Sequence, residues 1–255
     1  MKMREIIGIF VCLFLLSAIC LAEETEYFDW KGSKLYASKN YTEALSYFDK
    51  ALSQDPNYAD AWVHKGDTQK ALKDYNGSIQ SYDKALQLDS SKTAAWSGIT
   101  DDYSALKDYV NASSVAAKAT QADPTNKANW FRQGKLLQNQ GGFAESLAMF
   151  DNATAIDGQY KDALYAKGVS LLALGQTSQA SEQFDKVLQI DPTYKYAYNA
   201  KGLVLEAGGN YALAVQQYDK ALEIDPRFSQ ALTNKMNALL GARKPGEAIQ
   251  IFVTI

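Results

Sequence analysis

From Thr25 to its last residue the chain repeats itself every 34 residues, with no insertion or deletion. Six closing phrases mark the period: Asp55-Pro56, Asp89-Ser90, Asp123-Pro124, Asp157-Gly158, Asp191-Pro192 and Asp225-Pro226. Upstream of each stands a small residue at a fixed offset (Ala51, Ala85, Ala119, Ala153, Val187, Ala221). Three residues earlier there is usually a ring: Phe48, Tyr82, Phe150, Phe184 and Tyr218, with Ala116 as the departure. A unit this short cannot bury an apolar face alone, so a fixed period of this length implies a solenoid of stacked units.

Residues 195–228 show what one unit does. Tyr198, Leu203 and Leu205 recur at helical spacing around Lys201-Gly202, and Gly208-Gly209-Asn210 then breaks the pattern. A second amphipathic stretch, Tyr211 to Ile224, carries Ala214, Tyr218, Ala221 and Leu222 on one face. Asp225-Pro226 ends it, because proline cannot continue a helix and pushes the residue before it away from helical angles. Each unit therefore reads as helix A, tight turn, helix B, turn. The expected fold is an all-α, right-handed α-solenoid of 14 helices, with A/B breaks near Lys39, Lys73, Lys107, Gly141, Gly175, Gly208 and Arg243. Its seven repeats run 25–58, 59–92, 93–126, 127–160, 161–194, 195–228 and 229–255.

Residues 1–22 are of a different kind. Lys2 and Arg4 precede an apolar run from Ile6 to Ala22, and Glu23-Glu24 follow at once. A basic head, an apolar body and small residues near the end suit a secretory signal peptide cleaved after Ala22. At about 17 residues the run also reaches the lower limit for an uncleaved N-terminal membrane anchor. Both readings export the repeats, either secreted or anchored at the cell surface. Four Asn-x-Ser/Thr sequons agree with export; Asn40, Asn76 and Asn111 fall at or near the start of helix B and are the expected glycan acceptors. Asn152 lies far along helix B beside Ala153 and is expected to be the least used.

The formal charge of −3 gives no clustered basic face, which excludes a nucleic-acid partner. Both cysteines, Cys12 and Cys20, lie in the apolar segment, and His64 is the single histidine. The sequence holds no Cys/His/carboxylate cluster, no glycine-rich phosphate loop and no nucleophile motif. Paired carboxylates such as Asp101-Asp102 point about 100° apart on a helix and form no dyad. No catalytic residue, metal or cofactor is expected.

The recurring positions resemble those of the tetratricopeptide repeat (TPR) family. Large residues open helix A (Phe28, Trp62, Trp96, Trp130, Leu164, Tyr198, Leu232), and a glycine follows in its middle (Gly32, Gly66, Gly134, Gly168, Gly202), with Thr100 and Met236 departing. Helix B opens with Tyr41, Tyr75, Tyr109, Phe143, Thr177, Tyr211 and Pro245 and carries a small residue soon after. The resemblance covers residues 25–255. It implies that glycine and alanine let the A and B backbones approach while the rings fill the core. The third repeat, with Thr100 for glycine and Ala116 for a ring, is expected to be the softest.

The resemblance also implies a concave groove lined by helices A, non-enzymatic, with a protein or peptide segment as partner. Its residues would be acidic at one end (Glu26, Asp29, Asp60, Asp67, Asp101, with Ser33 and His64), basic at Arg132 and Lys135, then aromatic and amide at Tyr165, Tyr196, Asn199, Leu203 and Asn234. The acidic end would recruit Lys or Arg, the rings an apolar side chain, and the two amides a peptide backbone. The family's Lys/Asn/Arg carboxylate clamp is not restored at these positions. Two other readings stay open: a structural assembly factor of an envelope or secretion complex, self-associating through the apolar C-terminal helix, and a regulatory arm for an enzyme on another chain.

Overall fold

A computed structural model describes residues 22–254, with side chains described as far as residue 251. Among the described residues there are 14 helices and no strand, as the period requires. They are α1 (22–37), α2 (Tyr41–Gln54), α3 (Ala59–Ala71), α4 (Tyr75–Leu88), α5 (Thr93–Ala105), α6 (Tyr109–Ala122), α7 (Lys127–Asn139), α8 (Phe143–Ile156), α9 (Lys161–Ala173), α10 (Thr177–Ile190), α11 (Lys195–Ala207), α12 (Tyr211–Ile224), α13 (Ser229–Gly241) and α14 (Pro245–Thr254). The signal or anchor expected over 1–22 lies outside the described residues except for Ala22. No described helix is long and apolar enough to cross a membrane. The helices form two compact bodies that divide between Asp123 and Pro124.

Every A/B break is a left-handed residue: Lys39, Lys73, Lys107, Gly141, Gly175, Gly209 and Arg243 have φ between 59° and 83°. In the sixth repeat the break falls at Gly209, one residue beyond the expected Gly208. The next N–H in each case reaches back five residues to helix A, as in Asn40 to Leu35 and Gln176 to Leu171, both 2.9 Å. These bonds satisfy the orphan carbonyls of the helix end. Where the residue is Lys or Arg rather than Gly, the turn works against a left-handed penalty of roughly 1–2 kcal/mol.

The repeated aspartate has a structural reason. It leaves helix B in an extended conformation, and its Oδ1 accepts the N–H two residues on: Asn57 to Asp55 at 2.8 Å, Gln159 to Asp157 at 2.9 Å, Thr193 to Asp191 at 3.0 Å. This side-chain-closed turn explains why the residue survives where proline does not. Trp62, Trp96 and Trp130 each donate their indole N–H to a carbonyl of the preceding turn, at 2.8–2.9 Å. Lysines also tie helix B of one repeat to helix A of the next, as in Lys65–Asp49 (2.7 Å) and Lys235–Asp219 (2.6 Å).

The core is built on one recurring contact. Phe48, Tyr82, Phe150, Phe184 and Tyr218 are fully buried, and each ring lies against the helix A glycine 16 residues before it. A Cβ at Gly32, Gly66, Gly134 or Gly168 would stand 2.5–2.7 Å from that ring, inside van der Waals contact. The third repeat carries the same pair with its volume exchanged. Thr100 occupies the glycine position and Ala116 the ring position, and both are buried at 1% exposure. Two departures that read in sequence as separate losses are thus one reciprocal exchange. The helix A Trp residues and most of the rings opening helix B are half-buried, and Tyr109 is exposed, so only part of the aromatic pattern is deep core.

Between repeats, small polar groups fill a second recurring position. In the second body Gln138 Nε2 donates to Ser170 Oγ at 2.9 Å, and Ser170 bonds Ser146 at 2.7 Å. The equivalent residues of the first body are Lys70, Asp102 and Ser78. There Ser78 turns to the Gly66 carbonyl (2.9 Å), Lys70 pairs with Asp101 (2.8 Å), and the fully buried Asp102 has no hydrogen bond at either carboxyl oxygen. Burial pushes the Asp102 carboxyl above the usual carboxylate range, and the nearby positive charge of Lys70 offsets this only in part.

A folded-state pKa raised above the unfolded value of about 3.9 means that stability falls as pH rises from there through the raised value. Asp102→Thr, which copies Thr68 of the previous repeat, is expected to stabilise the protein by about 1–3 kcal/mol at pH 7, with the gain shrinking as pH falls from the raised value to about 4 and levelling off below it. Urea melts at both pH values check this; a variant less stable than wild type at pH 7 would show that the carboxylate is held by favourable partners.

Candidate functional site

Within each body the helices A lie side by side, and side chains bridge from one to the next. In the first body α1, α3 and α5 present the acidic residues singled out above. The structure gives most of them a partner from another helix or turn. His64 Nδ1 lies 2.7 Å from Asp29 Oδ1, Lys92 reaches Asp60 at 2.6 Å, and Lys70 reaches Asp101 at 2.8 Å. Asp67 accepts the Tyr82 phenol at 2.6 Å. Lys92 and Lys70 thus neutralise Asp60 and Asp101, so this end is less anionic than its acidic residues suggest. Asp29 is itself buried, and its hydrogen bond raises the His64 pKa above the usual imidazole value, against a smaller opposing effect of burial.

Ser33, Tyr36, Phe48, His64 and Asp67 surround a cavity of about 220 Å³. Phe48 comes from helix B and forms a floor, with its ring 5.6 Å from the imidazole. That volume is below the several hundred Å³ typical of whole small-molecule sites and suits a single side chain.

In the second body α7, α9, α11 and α13 form the corresponding face. Arg132 and Lys135 lie on α7, both half-buried. Lys135 donates to Gln138 at 2.7 Å, and burial lowers the pKa of its ammonium. Asn199 is buried at 4% exposure, and its Oδ1 accepts from Asn234 at 2.9 Å. The two amides are joined to each other, with Asn234 the more accessible. Leu203 is half-buried.

The rings form a continuous ledge that sequence reading captured only in part. Tyr165 packs over Phe184 (5.8 Å) and edge-on to Tyr194 (5.4 Å); Tyr194 meets Tyr196 (5.4 Å), and Tyr196 meets Phe228 edge-on (5.2 Å). Phe131 and Tyr160 make the equivalent pair one repeat earlier, at 5.3 Å. Tyr160, Tyr194 and Phe228 were missed. Their signal was available: each stands three residues after the repeated aspartate, in the turn that leads into helix A.

The same turn holds the ledge in place. Lys127, Lys161 and Lys195, each the first residue of a helix A, bond Asp157, Asp191 and Asp225 at 2.5–2.7 Å. Their ammonium groups sit 4.9 Å from Tyr160, 4.6 Å from Tyr194 and 5.0 Å from Phe228. The lysine bonds hold the three carboxyls below the usual range. Burial and nearby carboxylates push the Tyr194 phenol up to about 12, so it remains a neutral hydrogen-bond donor.

All four sequon asparagines are exposed, including Asn152, so exposure does not rank it below the others. Asn40 and Asn111 bond to Glu43 and Asp108 at the start of helix B. Among the described residues no group of three His, Cys, Asp or Glu side chains is placed to hold a metal ion.

Family models described as tetratricopeptide repeat match residues 35–99, 131–195 and 165–227. The chain belongs to the tetratricopeptide repeat family. Among solved structures this TPR protein is similar to YrrB, described as a TPR protein with an unusual peptide-binding site. The two are 26% identical, with 74% of this chain and 97% of YrrB covered and a TM-score of 0.61. A TPR protein from Parabacteroides merdae shares the fold at 13% identity, covering 91% of this chain and 92% of its own, with a TM-score of 0.71. So does the C-terminal part of a TPR repeat-containing protein from Cytophaga hutchinsonii, at 17% identity, 91% and 95% coverage and a TM-score of 0.73. A search of curated proteins returns no significant match.

The buried amide pair gives a direct check. Asn199→Ala is expected to lower stability by about 1–3 kcal/mol, because it opens a small cavity and removes Asn234's partner. Urea denaturation reads this; a change below a few tenths of a kcal/mol would mean that Asn199 is in effect a solvated surface amide.

Proposed function

We propose that this TPR protein is a non-enzymatic scaffold that holds an extended protein or peptide segment on its helix A face. The ring ledge of the second body is the main anchor. One observation carries the reading: Tyr196 is 41% exposed, yet its ring is fixed between Tyr194 and Phe228 with the Lys195 ammonium 5.2 Å from its centroid. A rigid, half-open aromatic surface offers contact area at little ordering cost, and such rings are common energetic hot spots. Asn234 and the Tyr194 phenol supply polar groups beside it for a peptide backbone. The similarity to YrrB, with its peptide-binding site, supports the same reading.

The place of action in this proposal is outside the cytoplasm, either secreted or tethered by the N-terminal apolar segment. Its support is the basic-apolar-small pattern of residues 1–22 together with four exposed sequon asparagines. The assembly-factor reading has one observation in its favour. Ile249 on α14 is 62% exposed and offers an apolar contact for a second molecule.

Selection from a displayed peptide library tests the main reading. Enriched sequences are expected to share an apolar or aromatic residue and to bind Tyr196→Ala at least about tenfold more weakly than wild type. If enriched peptides bind that variant equally well and lose binding to Ile249→Asp, the ledge is not the site and the C-terminal helix is.

A further inference from the structure

The cavity of the first body is separate from the ledge and has a chemistry of its own. Its floor is the buried Phe48 ring, and Ser33 and Tyr36 of α1, both hydroxyl-bearing, line it. Asp67 keeps a carboxylate at the edge; the Tyr82 phenol occupies its Oδ1 and leaves the charge in place. His64 completes the lining, with Asp29 behind it at 2.7 Å. An aromatic floor, one carboxylate and two hydroxyls are what a compact cation on an aliphatic stem requires. The stem covers the ring, and the charged head takes the oxygens.

We propose that this cavity binds one lysine-type primary ammonium side chain of a peptide segment held on the helix A face of the first body, and that His64 gates that binding by its charge. The inference rests on the peptide-binding reading above and adds a specific residue type and a pH response to it.

The gate follows from the histidine's hydrogen bond. An ionised Asp29 only accepts, so the neutral ring carries its proton on Nδ1 and Nε2 remains a lone-pair acceptor. Protonation turns Nε2 into a donor and places a positive charge on the cavity wall. The charged groups that act on His64 are Asp29 from α1 and Asp60 and Asp67 from α3; Lys92 neutralises Asp60, and α2 packs the Phe48 ring against the imidazole. With His64 neutral, Asp29 and Asp67 leave the wall doubly negative; with His64 protonated, half of that attraction is gone. Because Asp29 raises the His64 pKa, the change falls above the ordinary imidazole value, and affinity rises as pH increases through it.

His64 is the single histidine of the chain, so its ring signals report on this cavity alone. The full chain, with histidine isotopically labelled, is titrated with acetyl-Gly-Lys-Gly-amide and, in parallel, with the norleucine analogue, which keeps the stem and lacks the charge. Lysine peptide is expected to shift the His64 ring resonances saturably, with norleucine giving no saturable shift. The dissociation constant is expected to weaken about fivefold to tenfold when pH drops from two units above to two units below the His64 midpoint. The variant Asp67→Asn should lose the lysine response, and His64→Gln should keep lysine binding, read on labelled Phe48 ring signals, without the pH dependence. Equal responses to lysine and norleucine, or no response at tens of millimolar, would overturn the proposal. Neither arm uses the ledge, so its failure would leave the library result on Tyr196 standing, and a failed ledge would leave the lysine titration readable.

Discussion

The structure depends on how closely helix A can approach helix B within one repeat. In five repeats that approach is set by a glycine under a buried ring, and the space is too small for both a Cβ and the ring. This is a steric exclusion rule, and it is stronger than a preference for small residues. It allows two solutions, glycine with a ring or a larger helix A residue with alanine, and the third repeat uses the second with Thr100 and Ala116. Dense interiors reward such complementary pairs, because a gap and a clash are both costly.

That approach also sets the functional surface. Once A and B are fixed, the turn after helix B must deliver the chain to the next helix A at one angle, and the repeated aspartate does this with its two oxygens. One closes the turn on the backbone, and in the second body the other holds the lysine that begins helix A of the same repeat. The lysine then lies over the ring that the same turn projects onto the helix A face. A single carboxylate thereby links helix termination, turn closure and ring placement. Such exposed pairs are individually worth little energy, so their effect is on position more than on stability.

Much of this was legible in the sequence, and the parts that were not share a cause. The repeat boundaries and six of seven A/B breaks can be read from Lys, Gly and Arg at fixed intervals, because a left-handed turn is a local requirement. The identities of helix A surface residues were legible for the same reason. Their partners were not: Lys92 for Asp60, Lys70 for Asp101 and Asn234 for Asn199 come from other helices or turns more than 30 residues away. Asp60 and Asp101 therefore read as free charges and Asn199 as a free amide. The His64 cavity needed three helices, including a helix B ring that pattern reading assigned wholly to the core. Tyr160, Tyr194 and Phe228 were readable from their spacing after the aspartate, but they lie in the turns, outside the helical periodicity that marks the helix A face.

The exclusion rule is tested most directly by a double-mutant cycle in the third repeat. Ala116→Phe alone should clash with Thr100 and destabilise the protein by about 1–3 kcal/mol, and Thr100→Gly alone should open a void and also destabilise. Together the two changes recreate the pair found in its neighbours, so the double variant should be at least as stable as wild type in urea melts, with a favourable coupling of about 2 kcal/mol or more. Additive destabilisation, with the double variant as weak as the sum of the two singles, would show that the glycine–ring contact is not what fixes the approach of helix A to helix B.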